Sequence, residues 1–309
     1  MSVRAVRSFL AVAVATSVAA GVLVTNVGAR SQGQQKVALV TVVADANGSI
    51  KDLTAKDFIV TEDNNKREVV DAQLADDPLS VALIIDISQP PMGVIPPTQD
   101  LRTAVASFVR TIQAGSPSAK ISLSEVGGAA VTPVNFTAKF EELEKGINHL
   151  VPGDARQAVL LEALVDASKR LGEQPPPRRA IVSVDFTSQE GSAERSLKEA
   201  VEAVHKVGAT LWPVSVRGSA TGTTDASGMR STFQPSQIRE EAFNKITQAN
   251  GGMRLQAVDA PGLGPNLKIV ANSLNSQYTI TFVRTGGNPK STKIETTRGA
   301  KVLLTPWMR

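Results

Sequence analysis

The sequence predicts an α/β fold, a doubly wound and mostly parallel sheet, with a small N-terminal β module beside it. The segments "SVALIID" (80–86) and "RAIVSVD" (179–185) are apolar almost throughout and end in an aspartate. Such runs are typical of strands that are buried on both faces of a sheet. Helical segments, with apolar residues three and four positions apart, alternate with these strands. This alternation favours a parallel sheet with helices on both of its faces.

The N-terminal module is predicted from three shorter strands rich in β-branched residues, 37–45, 57–63 and 66–74. A module of residues 37–78 alone spans about 40 residues, too few for a core of its own. We therefore expect C-terminal strands within 290–307 to join it. The segments "KIETT" and "KVLLTPW" in that region are predicted to form a closing hairpin.

The larger domain is predicted to span residues 79–284. Its expected helices are 99–113, 138–150, 157–171, 193–207, 236–250 and 262–276. Its expected strands are 80–86, 120–126, 129–136, 179–185 and 209–216. The segment "QYTITFV" (277–283) is expected to close the main sheet or lie at its edge.

The first 29 residues are predicted to be a signal peptide. Arg4 and Arg7 precede an apolar run of small and branched residues from Phe9 to Val24, and Ala29 offers a cleavage point. The alternative is an uncleaved membrane anchor, but the run is shorter than the roughly 20 residues that span a bilayer. We expect an exported protein, periplasmic or secreted, with no membrane span after cleavage of the signal.

Composition excludes several classes of site. The chain has no cysteine, so disulfides, cysteine-bound zinc, iron–sulfur clusters and thiol nucleophiles are excluded. Its basic residues are dispersed among acids and form no cluster for nucleic acid. The two histidines, His149 and His205, lie on predicted helices without the motif of a serine nucleophile, and we expect both at the surface. No phosphate-binding glycine loop is present. These observations predict a protein that is not an enzyme.

Asp86 and Asp185 each follow a buried strand. In open parallel sheets, ligands bind at the carboxyl ends of the strands. Two carboxylates at the same edge of the sheet therefore mark the candidate site.

At these residues the sequence resembles the von Willebrand factor A-related family, and more closely its exported bacterial members. The segment "DLTAKDFIVTEDNNKREV" (52–69) is similar to their N-terminal module, and "VALIIDISQPP" (81–91) matches their first metal-loop strand. The tail from 276 resembles their closing strands. The resemblance covers most of residues 37–304.

The resemblance implies a metal-ion-dependent adhesion site, which in that family consists of an Asp-x-Ser-x-Ser loop, a Thr and a second Asp around Mg²⁺. Asp86, Ser88 and Asp185 match three of these positions. Pro90 replaces the second Ser and Ala158 the Thr, so two hydroxyl ligands are missing, and Phe186 stands in place of a Gly. Mg²⁺ prefers about six oxygen ligands, so we expect a remnant site that holds no metal, with a weak site supplemented by water as the alternative. A loop-capping role is the simpler expectation for Ser88.

Two carboxylates without their cation repel each other unless one is protonated or both are paired with a positive group. Arg156 lies two residues before Ala158, and we expect its guanidinium to bridge Asp86 and Asp185 in place of the metal.

We expect a non-enzymatic module that binds another protein through Ser88, Gln89, Arg156 and Ser188, with no cofactor. The alternative is a Mg²⁺-dependent adhesion domain with a weakened site that binds an acidic residue of its partner. The low-complexity segment 217–235 is either a contact loop for the partner or a tolerated surface insertion. The sequence defines neither the partner nor the oligomeric state.

Overall fold

The computed structural model describes residues 33–88, 98–151, 153, 155, 157–186, 189–216, 237–257 and 260–309. The predicted signal peptide lies outside these ranges. Residues Gly33–Arg309 form one compact unit. Among the described residues, no helix is both long and apolar enough to cross a membrane.

The described elements alternate between strands and helices through the middle of the chain. The strands are β1 (Gln34–Val42), β2 (Phe58–Glu62), β3 (Asn65–Arg67), β4 (Val69–Leu74), β5 (Ser80–Asp86), β6 (Lys120–Val126), β7 (Ala130–Thr137), β8 (Gln157–Ala158), β9 (Arg179–Asp185), β10 (Gln189–Glu190), β11 (Thr210–Val216), β12 (Leu255–Ala257), β13 (Gln277–Arg284), β14 (Thr292–Thr296) and β15 (Val302–Met308). The helices are α1 (Thr98–Gly115), α2 (Phe140–His149), α3 (Leu160–Gly172), α4 (Ser196–Val207), α5 (Gln237–Asn250) and α6 (Leu263–Leu274). Two short 3₁₀ helices, Ala55–Asp57 and Ala260–Gly262, complete the set.

The main sheet has six strands in the order β12-β11-β9-β5-β6-β7. The first five are parallel, and β7 runs antiparallel to β6 at one edge. One face packs against α1, α2 and α6, and the other against α3, α4 and α5. Every residue of β5 is buried, because the strand carries apolar side chains toward both layers of helices. The predicted doubly wound α/β fold is therefore confirmed.

The remaining strands form two antiparallel sheets around a third core. A four-stranded sheet has the order β15-β1-β13-β4, and a three-stranded sheet has the order β14-β2-β3. Their shared core includes Val40, Phe58, Tyr278, Ile280 and Phe282. The C-terminal strands thus pair with the N-terminal ones, β15 with β1 and β14 with β2.

The expectation that residues 277–283 close the main sheet is wrong. They form β13, which pairs with β1 and β4 in the four-stranded sheet. Along β13, buried residues alternate with partly exposed ones from Tyr278 to Arg284. A strand of this pattern covers a core on one face only, whereas the central strands of the main sheet are buried on both.

The predicted C-terminal hairpin is also wrong. β14 and β15 belong to different sheets, so the connection between them crosses from one sheet to the other. Arg298 anchors this crossing through ion pairs with Asp52 at 2.5 Å and Asp57 at 3.0 Å. Gly299 follows with φ of +76°, a conformation that favours glycine.

The segment "LTAKDF", which carries the family resemblance, has a structural role here. Leu53 and Phe58 are buried in the third core. The Asp57 carboxylate accepts hydrogen bonds from the backbone N–H of Thr54 at 2.8 Å and from its hydroxyl at 2.9 Å. These bonds fix the short 3₁₀ helix that turns the chain into β2.

Arg178 connects the β module to the main sheet. Its buried guanidinium donates to the carbonyl oxygens of Ala75 and Asp77 at 2.9 Å each and of Leu274 at 3.1 Å. It also donates to Oε1 of Gln277 at 2.9 Å. One side chain thus holds the connection from β4 to β5 against the junction of α6 and β13.

Candidate functional site

The candidate site lies where β5 and β9 end side by side. The two strands are parallel neighbours with Ile85 opposite Val184, so Asp86 and Asp185 meet at the same edge of the sheet. Asp86 is fully buried and Asp185 is 2% exposed. The sequence-based prediction that these two carboxylates share the carboxyl edge is therefore confirmed.

An arginine from α5 lies between the two carboxylates. Nη1 of Arg239 is 3.8 Å from Oδ2 of Asp86 and 4.0 Å from Oδ1 of Asp185. Nε of the same side chain donates a hydrogen bond to Oε2 of Glu190 at 2.8 Å. One guanidinium therefore contacts three carboxylates, and its side chain is only 3% exposed.

The sequence of α5 explains how Arg239 comes to lie inside the protein. Ala242, Phe243 and Ile246 pack into the core between the sheet and α3, α4 and α5. Arg239 precedes Ala242 and Phe243 by three and four residues, so it lies on the same face of the helix. That face meets the end of the sheet at its first turn, where the carboxylates are.

Glu190 ties the arginine to two further segments. It belongs to β10, which pairs with the two-residue strand β8 in parallel register, Glu190 opposite Ala158. Its Oε1 accepts from the backbone N–H groups of Leu161 at 3.4 Å and Ser192 at 3.2 Å. Nη2 of Arg239 donates to the carbonyl oxygen of Ala158 at 3.4 Å. The connection into α3 is therefore fixed by the same group of charges.

Two serine hydroxyls donate hydrogen bonds to the aspartates. Oδ1 of Asp86 accepts from the backbone N–H of Ser88 at 2.9 Å and from its hydroxyl at 2.5 Å. Oδ2 of Asp185 accepts from the hydroxyl of Ser215, on the neighbouring strand β11, at 3.0 Å. Ser88 is 1% exposed, so its hydroxyl is turned inward toward Asp86.

Burial and the neighbouring charges shift the pKa values of Asp185 and Arg239. Burial raises the pKa of Asp185 to about 6, and the nearby Asp86 acts in the same direction, while Arg239 and Ser215 oppose the shift. Burial alone would lower the pKa of Arg239, but Asp185, Glu190 and Asp86 raise it above its ordinary value. The acids around the arginine therefore hold it in its charged form.

Several solved structures are similar to this chain. A von Willebrand factor type A protein from Catenulispora acidiphila aligns over 91% of this chain and 74% of its own, at 10% identity and a TM-score of 0.50. Proximal thread matrix protein 1 from the mussel byssus aligns over 72% of this chain and 50% of its own, at 10% identity and a TM-score of 0.51. BatB from Bacteroides thetaiotaomicron aligns over 63% of this chain and 98% of its own, at 17% identity and a TM-score of 0.44.

The chain has a von Willebrand factor A fold. At these identities the likeness shows the fold alone. No protein-family model and no curated protein sequence is similar to the chain.

The mussel protein is described with a zinc-occupied metal-ion-dependent adhesion site. The residues at the carboxyl edge of this chain do not fit such an ion. Ala158, at the position expected for a Thr ligand, has no side-chain oxygen and is fully buried. The Arg239 guanidinium lies between the two aspartates. In the part of the chain that the structure describes, no three His, Cys, Asp or Glu side chains are arranged to hold a metal ion.

The structure thus brings together Asp86, Ser88 and Asp185 from the predicted site. Gln89, Arg156, Ser188 and the segment 217–236 lie outside the described residues. The bridging expected of Arg156 therefore stays a prediction, and within the described residues Arg239 is an arginine that contacts both aspartates. Phe186, in place of the family's Gly, is buried in the core beside α1 and α6.

Sequence reasoning missed Arg239 and Glu190. One signal for Arg239 was available, because an arginine on the apolar stripe of an amphipathic helix needs a buried partner. Glu190 had none, since it lies in β10, a strand of only two residues.

The two histidines are exposed residues of α2 and α4, as predicted. Nδ1 of His149 contacts the carbonyl oxygen of Lys145 at 2.6 Å, and Nδ1 of His205 contacts Oδ1 of Asn250 at 3.1 Å. Neither contact joins a histidine to a serine or threonine hydroxyl.

Proposed function

We propose that this protein is an exported, non-enzymatic module that binds a partner protein at the carboxyl edge of its von Willebrand factor A fold without a bound metal. The observation that carries the proposal is the position of Arg239 between Asp86 and Asp185. A guanidinium there supplies the positive charge that two adjacent buried carboxylates need.

The small number of oxygen ligands at this edge supports binding of the partner without a metal. Two hydroxyl ligands are replaced by Pro90 and Ala158. The remaining hydroxyl, that of Ser88, donates its proton to Asp86. Mg²⁺ requires about six oxygen ligands in near-octahedral geometry, more than these side chains offer.

A non-enzymatic role is supported by the contacts of the histidines. A hydrolase of the serine type needs a histidine within hydrogen-bond reach of its nucleophile. In the described ranges both histidine rings instead contact amide or carbonyl oxygens of their own surroundings.

The partner is proposed to contact the segments that follow β5 and β9 and the segment that precedes β8, through Gln89, Ser188 and Arg156. Ser88 contributes indirectly, because its buried hydroxyl holds the Asp86 carboxylate. The fold supports this choice of face, since ligands of open α/β sheets bind beyond the carboxyl ends of the strands. Export is supported by the apolar N-terminal segment with its two arginines.

The competing function is a Mg²⁺-dependent adhesion domain that binds an acidic residue of its partner. The mussel protein is described with a zinc-occupied metal-ion-dependent adhesion site, which is a property of that protein. A metal at the same place in this chain would require Arg239 to leave the two carboxylates.

The test is affinity capture by immobilised residues 30–309, with EDTA or Mg²⁺ in the buffer. The variant Arg156→Glu reverses a charge at the proposed face. The matched control Lys198→Glu reverses an exposed charge on α4. We expect one protein to be retained equally in both buffers and lost only with Arg156→Glu. Loss in EDTA would favour the adhesion domain, and equal retention by both variants would contradict the proposed face.

A further inference from the structure

The chain contains two Asn-Gly pairs, Asn47-Gly48 and Asn250-Gly251. Asparagine is a thermolabile residue, because the backbone nitrogen of the next residue can attack the carbon of its side-chain amide. A following glycine, which has no Cβ, leaves that nitrogen most accessible. By sequence the two asparagines are equal candidates for deamidation, and the structure separates them.

Asn47 lies in the connection between β1 and the first 3₁₀ helix, where both it and Gly48 are exposed. Nδ2 of Asn47 donates a long hydrogen bond to Oδ2 of Asp45, at 3.4 Å. The backbone N–H groups of Asn47 and Gly48 donate to Oδ1 of Asp45 at 2.7 and 3.3 Å. A Cβ added to Gly48 would meet no atom within 4 Å. The side-chain amide and the attacking residue are therefore both open to water.

Asn250 has the opposite surroundings. It ends α5 and is 1% exposed. Its Nδ2 donates to the carbonyl oxygens of Val204 and Ala209 at 3.0 Å each, and its Oδ1 contacts Nδ1 of His205 at 3.1 Å. Rotation of this amide toward the nitrogen of Gly251 would break two hydrogen bonds inside the protein, which is costly. Burial also keeps water, a reactant in deamidation, away from this residue.

We propose that Asn47 is a site of spontaneous deamidation and that the fold protects Asn250. The nitrogen of Gly48 bonds to Cγ of Asn47 and closes a succinimide ring. The Cγ–Nδ2 bond breaks, and the proton of the Gly48 nitrogen passes through water to the leaving nitrogen, which departs as ammonia. Water then opens the ring at either of its two carbonyl groups and leaves aspartate or isoaspartate at position 47. Water is the only co-reactant, and the reaction requires neither export nor a partner.

The product places a second carboxylate beside Asp45. The hydrogen bond from the backbone N–H of Asn47 lowers the pKa of Asp45, so this carboxylate is charged at neutral pH. Deamidation removes the Nδ2 donor and brings two like charges together. The backbone of Asp45 is held separately, because its carbonyl oxygen accepts from Nδ2 of Asn272, on α6, at 2.9 Å. The modification therefore adds negative charge to the surface of the β module and leaves this attachment to α6 in place.

The experiment incubates the purified protein at mildly alkaline pH and follows both asparagines over time by peptide mapping with mass spectrometry. The samples are the native protein, the native variant Gly48→Ala and the parent chain unfolded in guanidinium chloride. We expect conversion at position 47 but not at position 250 in the native protein, and at both positions in the unfolded chain. Gly48→Ala should lose most of the conversion at position 47, because its methyl group obstructs the attacking nitrogen. The open space around Gly48 accommodates that methyl group.

A native protein that keeps Asn47 intact while its unfolded chain converts there would overturn the proposal, because the turn would then protect this residue. Equal conversion at positions 47 and 250 in the native protein would contradict protection of Asn250 by the fold. Undiminished conversion in Gly48→Ala would contradict attack by the Gly48 nitrogen. Absence of conversion at position 47 in every sample would also overturn the proposal.

Discussion

Nη1 of Arg239 lies 3.8 Å from Oδ2 of Asp86, and neither side chain is exposed by more than 3%. The two residues come from α5 and β5, more than 150 positions apart in the sequence. This contact places a positive side chain where the von Willebrand factor A fold can carry a metal. Under the proposed function, the balance of charge at this edge depends on the Arg239 side chain.

Replacement of Arg239 by alanine is expected to lower the free energy of unfolding by about 3–5 kcal/mol, because it leaves buried carboxylates without their partner. Urea unfolding in EDTA measures the change. Lys245→Ala on the same helix is the control, since Lys245 is 55% exposed and its ion pair with Glu241 lies at the surface. A loss below about 0.5 kcal/mol for Arg239→Ala, the range of ordinary surface substitutions, would show that the arginine carries no structural charge.

The raised pKa of Asp185 predicts that the stability of the protein depends on pH. Its ordinary pKa of 3.8 is raised to about 6 in the folded protein, by burial and by Asp86 against the opposing effects of Arg239, Ser215 and Arg254. The folded state therefore binds the proton more tightly than the unfolded state. The resulting stabilisation is complete below pH 3.8 and is lost as the pH rises through 6.

The shift of about two pKa units corresponds to roughly 3 kcal/mol of stability lost between pH 4 and pH 7. Urea midpoints of the parent and of Asp185→Asn are measured across this range. The difference between the two proteins isolates the contribution of the Asp185 carboxyl from that of the other titrating groups. The variant should lose less stability than the parent as the pH rises. Parallel curves for the two proteins would contradict the raised pKa.

The hydrogen bonds of Arg178, just before β9, predict that its replacement destabilises the protein. Arg178→Ala removes the donor for three carbonyl oxygens, one of them fully buried, and for Gln277, and we expect a loss of about 3–5 kcal/mol. Lysine should not rescue it, because an ammonium group cannot reproduce the planar fork of donors. Lys198→Ala, on the exposed side of α4, provides the control, and thermal unfolding is the measurement. Rescue by lysine would show that only the charge matters there.

The fold was predictable because its central strands and helices carry strong local patterns. The buried runs that end in Asp86 and Asp185 indicated two neighbouring parallel strands, and the structure places them so. β13 was misplaced because a strand's alternation shows that one face is buried but does not show in which sheet it lies. β13 pairs with β1 and β4, which are distant from it in the sequence. These strands meet around a core whose residues come from both ends of the chain.

The candidate site was predictable only in part, for a related reason. Both aspartates and the missing hydroxyl ligands could be read from the sequence beside Asp86 and Ala158. The positive charge beside these aspartates could not be read from the sequence in the same way. Arg239 reaches the site because α5 packs with α3 and α4 in one core. The sequence pointed to Arg156 by its proximity along the chain, and that prediction concerns a residue outside the described ranges.

The most direct test is a crystal structure of the parent protein grown with Mn²⁺, measured with anomalous diffraction. The account predicts the Arg239 guanidinium between Asp86 and Asp185 and no anomalous peak within coordination distance of either carboxylate. A manganese peak bridging the two aspartates, with Arg239 displaced, would contradict it.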